Sequence, residues 1–320
     1  MIPPRFQDEL IDAVHEGDEL RARGLVAQLA VQPRQARAIL EAMLAAPDAL
    51  VRQAAAFGLG ELGGRASAKR LEQQLALEEA RGDYDGESVV EAITRALGRI
   101  DDASARASLM RKLERLATGP QESSDVGTVV NALWRKRHPE MIPAVRRCLE
   151  RFDPSTSKVL QGLLVLLEKT PEEVSTWAGN PSVPVAHKTE VLTVLDAELP
   201  DALAATLPSF ISAAHALAET AARQNGEASY YCDRLFTLLL LYKERVLPAL
   251  PKEARAELRD LTRTLVAATA PNCSLRAAIL LKLVGRPEDA SLIEAHRPTE
   301  PVLAKVFDDA ARTLRGLQEE

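Results

Sequence analysis

A thirteen-residue frame, which begins and ends on an apolar residue, occurs four times in this chain. In its two clearest copies, Leu59-Gly60-Glu61-Leu62-Gly63 runs on to Leu71, and Leu97-Gly98-Arg99-Ile100-Asp101 runs on to Leu109. The other two copies run from Leu133 to Val145 and from Leu280 to Leu292, over the same number of positions. The copies at 59, 97 and 133 start 38 and 36 residues apart. A period in this range is typical of a solenoid built from helix pairs, so a binding scaffold is the leading functional class.

The composition favours helices over strands. Of the 320 residues, 46% are hydrophobic but only 4% are aromatic, so Ala, Leu and Val must fill the core. Small aliphatic side chains suit closely packed helices better than a β-sandwich, whose strands favour β-branched and aromatic residues. We therefore expect an all-α fold, a right-handed α-solenoid of antiparallel helix pairs.

The charge balance and the cysteines narrow the partners and the compartment. The net charge is −6, whereas nucleic-acid-binding domains are usually basic, so nucleic acid is not the expected partner. The three cysteines, Cys148, Cys232 and Cys273, are far apart and odd in number, which indicates a reducing compartment. No apolar signal region follows Met1, and the longest apolar run is far shorter than the roughly 20 residues of a membrane span. We expect a cytoplasmic protein with no membrane partner.

Helical periodicity divides the chain into three regions. Two irregular helices within 1–32 are typical of an N-terminal cap, and regular helix pairs are expected over 33–178. Two prolines and a glycine within 179–184 cannot continue a helix and mark the best internal boundary. From 183 to 320 we expect longer, less regular helical repeats closed by a polar end cap. The candidate helices there cover 184–199, 208–224, 228–246 and 251–269, and the third, apolar nearly all round, is the expected central helix.

The segment 47–75 has the clearest helix-pair pattern. Asp48 is a predicted N-cap, and Gly63-Gly64 is a predicted helix end. Gly58 and Gly60 lie inside the helix, where a glycine costs about 1 kcal/mol relative to alanine, so we expect another helix to approach closely there. The leucines of the frame are expected to be buried between repeats: Leu59, Leu62, Leu71, Leu97, Leu109 and Leu133.

This segment resembles the HEAT repeat family. The residues that carry the resemblance are Asp48, Val51-Arg52, Ala55, Leu59-Gly60, Leu62-Gly63 and Leu71. The resemblance is strong over 47–117, fair to 178, poor over 183–270, and returns from Ser274 to Ile293. It implies helix pairs stacked into an armadillo-type superhelix, with the second helix of each pair on the concave face. It also implies a scaffold for protein–protein contacts.

Several patterns could carry chemistry, but each has a simpler structural interpretation. His215 and Glu219 are four residues apart on a predicted helix, as two metal ligands often are, yet no third ligand is evident. Asp83-Tyr84-Asp85-Gly86-Glu87 has part of a calcium-loop pattern, and an inter-helix turn explains it better. Arg146, Arg147 and Arg151 would lower the pKa of the Cys148 thiol, although a packed small residue is the commoner role of such a cysteine. We therefore expect no catalytic residue, no cofactor and no metal.

One region departs from the acidic balance of the chain. Between 95 and 151 there are twelve Arg or Lys residues and seven Asp or Glu residues. Helical phase turns Arg95 and Arg99 away from the apolar stripe of their helix, and Arg135 and Lys136 have a similar place on a later helix. If these helices line one face, the four bases form a ridge for an acidic protein segment. The alternative is that they satisfy helix dipoles and solvate the surface.

Three functional hypotheses follow. The leading one is a non-enzymatic scaffold or adaptor that binds a protein partner on the concave surface. The second is a nucleic-acid-binding enzyme resembling the HEAT-like alkylpurine DNA glycosylases, which place an acid and tryptophans in a basic groove. Trp134 adjoins the basic run, but no residue matches their catalytic acid. The third is a relative of the phycobilin lyases, which also use short bacterial-type HEAT repeats.

Overall fold

The structure, a computed structural model, describes residues 4–119, 123–154 and 156–316, and within these ranges it contains helices and no strands. The predicted all-α class is therefore confirmed. The chain divides into two compact units, Met1–Leu160 and Gln161–Glu320, and the division falls within one helix.

The helices of the first unit are α1 (Pro4–His15), α2 (Glu19–Leu29), α3 (Pro33–Leu44), α4 (Ala49–Leu62), α5 (Gly64–Arg81), α6 (Tyr84–Arg99), α7 (Ala103–Leu116), α8 (Ser123–Arg135) and α9 (Ile142–Leu149), the last preceded by a 3₁₀ turn, Pro139–Met141. Helix α10 (Lys158–Glu168) contains the division.

The helices of the second unit are α11 (Pro171–Gly179), α12 (Val185–Leu195), α13 (Asp201–Ala204), α14 (Leu207–His215), α15 (Ala218–Arg223), α16 (Glu227–Leu241), α17 (Lys243–Ala249), α18 (Lys252–Leu265), α19 (Pro271–Val284), α20 (Asp289–Ala295) and α21 (Pro301–Gly316).

Alternate helices of the first unit contact one another and form two rows. One row contains α4, α6 and α8, and the other contains α3, α5, α7 and α9. From α3 to α8 each helix also packs against the next helix along the chain, so the apolar face of one row lies on the apolar face of the other. Helices α1 and α2 both pack against α4, at the start of the first row.

Two glycines set the spacing within the α4–α6–α8 row. A Cβ on Gly60 would lie 3.0 Å from Cα of Ala96, and a Cβ on Gly98 would lie 3.0 Å from Cα of Ala132. The same contact is therefore made twice, from α4 to α6 and from α6 to α8. The predicted close approach is confirmed, because a backbone can come this near only where no side chain intervenes.

The local signals around α4 act as the sequence predicts. Asp48 caps the helix by accepting from the Leu50 and Val51 amides, at 2.7 and 3.4 Å. The helix ends where Gly63 and Gly64 both adopt positive φ. Five of the six predicted frame leucines are buried: Leu59, Leu71, Leu97, Leu109 and Leu133. Leu62 is half-buried.

The second unit also contains two rows of contacting helices. One includes α11, α14 and α18, and the other includes α12, α16, α19 and α21. Helix α16 packs against α12, α14, α15 and α19, which confirms the predicted central helix. An aspartate–arginine pair joins each of the first two steps of its row: Asp196, which follows α12, pairs with Arg234 of α16, and Asp233 of α16 pairs with Arg276 of α19.

Some predicted helices differ from those observed. The predicted helix 208–224 breaks after His215 and resumes at Ala218, and 228–246 ends at Leu241 before a separate α17. The predicted boundary over 179–184 is the loop between α11 and α12, inside the second unit. The predicted domain ranges therefore remain predictions.

Candidate functional site

The four predicted site residues lie on two helices of the first unit that contact each other. Arg95 and Arg99 are on α6, Arg135 is the last residue of α8, and Lys136 follows it. The frame places Arg99 and Arg135 at equivalent positions, and the same position of α4 holds Glu61. An acidic residue therefore belongs to the row that sequence reasoning treated as basic.

Arg99 is held in a network of ion pairs and is only 16% exposed. Its Nη2 group donates to Glu19 of α2 at 2.8 Å, and its Nε lies 3.6 Å from Glu61. The guanidinium also stacks over the Phe57 ring, 4.5 Å from its centroid. Burial lowers the pKa of Arg99, the carboxylates of Glu19 and Glu61 raise it, and the nearby charges of Arg23 and Arg135 lower it. Arg99 is therefore largely satisfied within the unit.

Arg95 is 65% exposed but also has a carboxylate partner, because its Nη2 group donates to Glu91 at 2.5 Å on the same helix. Such an exposed pair one helical turn apart contributes only about 0.3–0.5 kcal/mol, so it can open at little cost. Arg95 and Arg99 both line a cavity of about 200 Å³, which also contacts the end of α1 and the start of α2.

Arg135 and Lys136 lie in a different environment. They line a cavity of about 360 Å³ together with Arg106, Arg137, Asp101 and Asp102. The Arg135 side chain is exposed and makes no ion pair or hydrogen bond with any residue that the structure describes. Lys136 is mostly buried, with its Nζ 3.9 Å from Asp101. We call Arg106, Arg135, Lys136 and Arg137 the α8 basic cluster.

The remaining groups of this cavity are held by local contacts. Asp102 caps α7 through the amide and hydroxyl of Ser104, and these hydrogen bonds lower the pKa of its carboxyl. Arg106 pairs with Glu140 at 3.2 Å, and Arg137 stacks on Trp134, 4.8 Å from the ring centroid. Sequence reasoning counted Arg106 and Arg137 as bases but did not place them at the site. Arg137 could have been found from its position two residues after Arg135, whereas only the packing of α7 brings Arg106 there.

The four predicted residues therefore do not form one uninterrupted ridge. Carboxylates pair with Arg95 and Arg99, and Asp101 lies near Lys136. The alternative interpretation, in which these bases only solvate the surface, also accounts for the pairing of Arg95 with Glu91. Arg135 keeps its charge unpaired by described residues, so the expectation of a binding site is concentrated at α8, and it remains a prediction.

The other candidate residues have structural roles. Asp83 caps α6 by accepting from the Gly86 amide at 2.6 Å, so the predicted inter-helix turn over 83–87 is mostly the first turn of a helix. His215 ends α14, and Glu219 lies on α15, where it pairs with Arg223 at 2.9 Å. The expected single helix carrying both is therefore wrong. Within the described ranges, no three His, Cys, Asp or Glu side chains are grouped as metal ligands.

Cys148 is buried, and its burial decides its chemistry. Desolvation raises the pKa of the thiol, Glu114 raises it further, and the lowering by Arg151 and Arg147 does not compensate. The expected lowering of this pKa is therefore wrong, and the thiol has the packed role that such a cysteine usually has.

Comparisons of this chain with protein-family models, curated proteins and solved structures found no significant match. In the ranges that the structure covers, no helix has both the length and the apolarity needed to cross a bilayer.

Proposed function

We propose that this protein is a non-enzymatic scaffold that binds an acidic segment of a protein partner at the α8 basic cluster. The observation that carries the proposal is Arg135, which is exposed, has no partner among the described residues, and shares a cavity with three further bases. In this proposal the helix pairs belong to a right-handed, HEAT-like solenoid, and Arg95 and Arg99 lie at the edge of the site.

The packing supports an extended surface of this kind. The glycine contacts of Gly60 and Gly98 repeat along the α4–α6–α8 row, so successive helices present equivalent positions at regular intervals. Rows of this type bury each helix against its neighbours and leave one face for partners. An elongated acidic segment fits such a face better than a small substrate does.

Charge chemistry indicates what the segment contributes. A guanidinium binds a carboxylate through two parallel N–H···O bonds, and Arg135 has its donors available for this arrangement. Each exposed ion pair contributes only about 0–1 kcal/mol, so affinity requires several contacts across the cluster. Charges at the edge of an interface mainly change the association rate and its salt dependence.

The structure gives less support to the enzymatic alternatives. Trp134 is 1% exposed and covered by Arg137, so it does not offer a free aromatic face to DNA. The net negative charge of the chain also disfavours binding to a long polyanion such as DNA. No observation in the structure favours a phycobilin lyase.

The test is a stopped-flow measurement with a fluorescent glutamate-rich peptide as the probe. For Arg135→Gln we expect association to slow by about three- to tenfold at low salt, and the difference to shrink as salt screens the charges. Arg34→Gln is the matched control, since Arg34 is exposed on α3 and has no partner among the described residues. Equal slowing by both variants would mean that association depends on the net charge of the chain and not on Arg135 in particular. Tighter binding of duplex DNA than of the peptide would favour the nucleic-acid alternative.

The native partner is sought separately by affinity capture. A single stoichiometric protein that is captured by the wild type and by Arg34→Gln, but not by Arg135→Gln, would support the proposal. Capture that does not depend on Arg135 would place the partner elsewhere on the chain.

A further inference from the structure

A second basic cavity lies on the other row of the first unit, between α7 and α9. It has a volume of about 440 Å³ and is lined by Arg111, Glu114 and Arg115 of α7, Arg147 of α9, and Arg151, which follows α9. All four arginines are exposed, whereas Cys148, which also lines the cavity, is buried. Two neighbouring helices and the turn after α9 thus bring four arginine side chains around one depression.

The α5 helix fixes the two arginines of α7. Glu72 accepts from Arg111 at 2.7 Å (Nε) and lies 2.5 Å from its Nη2. Glu79 accepts from Nε of Arg115 at 3.1 Å and lies 2.9 Å from its Nη2. Both carboxylates therefore occupy the Nε–Nη2 edge, and Nη1 of each arginine makes no bond with described residues. The guanidinium groups are oriented in advance, which lowers the entropy lost when a ligand binds.

On the α9 side of the cavity, Arg147 is paired more weakly than Arg111 and Arg115 are. The nearest described carboxylate to Arg147 is that of Glu114, at 3.9 Å from its Nη2, which is longer than a hydrogen bond. Lys112 is already bound to Glu79 at 3.0 Å. Among the ion pairs described here, four bases share three acids, Glu72, Glu79 and Glu114: Arg111, Lys112, Arg115 and Arg147. The local surplus of positive charge contrasts with the net charge of −6 for the whole chain.

We propose that this cavity binds a phosphate group. A phosphate offers three or four oxygens and up to two negative charges, which matches four arginines that line one cavity better than the two oxygens of a carboxylate do. The cavity volume falls within the range of about 300–1,000 Å³ that is usual for small-ligand sites. The ligand is either a small phosphate ester or a phosphorylated side chain of a protein. This site is separate from the α8 basic cluster and does not depend on the function proposed for it.

Isothermal titration of the full chain with inorganic pyrophosphate tests this site. We expect a dissociation constant below about 1 mM at low salt for the wild type. The double variant Arg147→Gln/Arg151→Gln should weaken binding by about tenfold or more, because each arginine donates charge-assisted bonds. Circular dichroism verifies that the variants are folded.

Three comparisons make the outcome specific. The control Arg146→Gln/Arg151→Gln differs from the test variant at one neighbouring position, and Arg146 does not line the cavity; it should retain more affinity than the test variant. Arg135→Gln should leave pyrophosphate binding unchanged, so this proposal can fail or succeed independently of the first. A phosphoserine peptide that binds more tightly than pyrophosphate and than its unphosphorylated form identifies a protein ligand, and the reverse order identifies a small one. Absence of binding by both probes at about 5 mM, or equal losses in the Arg146 and Arg147 double variants, overturns the assignment.

Discussion

The buried ion pair between Arg52 of α4 and Glu78 of α5 offers the sharpest test of how the first unit is held together. Both side chains are at most 2% exposed. Nε of Arg52 lies 2.8 Å from Oε1 of Glu78, and Nη2 donates to Oε2 at 3.2 Å. Nη1 donates to the carbonyl groups of Pro47 and Ala46, at 2.6 and 3.1 Å. The pair therefore joins two helices and the turn that precedes one of them.

The expected magnitude follows from what each substitution leaves behind. Arg52→Met leaves a buried carboxylate that keeps a hydrogen bond from Gln74 at 2.6 Å and a distant arginine, Arg81, at 3.7 Å. Breaking a buried pair costs about 3–5 kcal/mol, and these two contacts place the charge penalty near the lower end. The carbonyl groups of Ala46 and Pro47 each lose a donor, which adds about 1 kcal/mol apiece. We expect a total loss of about 4–5 kcal/mol.

The reverse substitution and the double variant complete a thermodynamic cycle. Glu78→Leu leaves the Arg52 charge with only carbonyl partners, and should cost about 3–4 kcal/mol. In Arg52→Met/Glu78→Leu the charges of the pair are removed, so the loss should fall to about 2–3 kcal/mol, the contribution of the two carbonyl groups and of the Gln74 amide that loses its acceptor. The double variant is thus expected to be more stable than either single variant.

Urea unfolding measured by tryptophan fluorescence reports this cycle. The chain has two tryptophans, and in a Trp177→Phe background the buried Trp134 of α8 reports on the first unit alone. Losses below about 1 kcal/mol in both single variants, or a double variant whose loss equals their sum, would refute the assigned coupling.

Three further predictions follow from other contacts. Gly162→Ala should destabilise the second unit by about 1–3 kcal/mol, because its Cβ would lie 2.6 Å from the carbonyl carbon of Glu190, whereas Gly24→Ala on an open face of α2 should be neutral or stabilising in urea titrations. Burial raises the pKa of Asp196 from 3.8 to about 6 despite Arg234 and Arg276, so stability should fall by roughly 1–3 kcal/mol as pH rises from about 4 to about 6, and Asp196→Asn should remove this slope. Arg99→Glu should lower the melting temperature, because it places a carboxylate beside Glu19 and Glu61, while Arg95→Glu should leave it nearly unchanged.

The last of these predictions revises an expectation from the sequence. Helical phase alone treated Arg95 and Arg99 as equivalent bases turned away from the apolar stripe of their helix. The structure separates them, since Arg95 is 65% exposed and Arg99 is 16% exposed. The difference arises from α2, which supplies Glu19 to Arg99 across 80 positions of the chain. No local pattern encodes a contact between residues so far apart.

The features that the sequence did predict are those set by short-range periodicity. Leu59, Leu97 and Leu133 recur at the repeat length, and all three are fully buried in the α4–α6–α8 row. Gly58 and Gly60 signalled close packing, and they lie against Leu40 and Ala96. In each case a residue type with a strong steric consequence occupies a position that helical geometry fixes.

Where local signals conflicted, the prediction failed. The Ala-rich segment 208–224 contains no Gly and only Pro208 near its start, so its helical propensity hid the break at Ala216-Leu217. Conversely, Gly86 and two aspartates favoured an inter-helix turn over 83–87, yet Tyr84 begins α6. A Cβ on Gly86 would lie 2.8 Å from the Glu78 carbonyl oxygen, so this glycine accommodates a close approach inside a helix.

The distribution of charge along the α4–α6–α8 row explains why the binding proposal moves towards α8. Equivalent frame positions hold Glu61, Arg99 and Arg135, and Arg23 of α2 lies 3.5 Å from Glu61. From α2 to α8 the charges are therefore positive, negative, positive and positive, at Arg23, Glu61, Arg99 and Arg135. Glu61 and Glu19 offset the first two arginines, and Arg135 follows Arg99 with no described acid to pair with it. An acidic side chain from a partner would continue the alternation at Arg135, whereas at Arg99 it would have to displace Glu19. A count of charges along the sequence cannot distinguish these two positions, because it does not separate paired groups from unpaired ones.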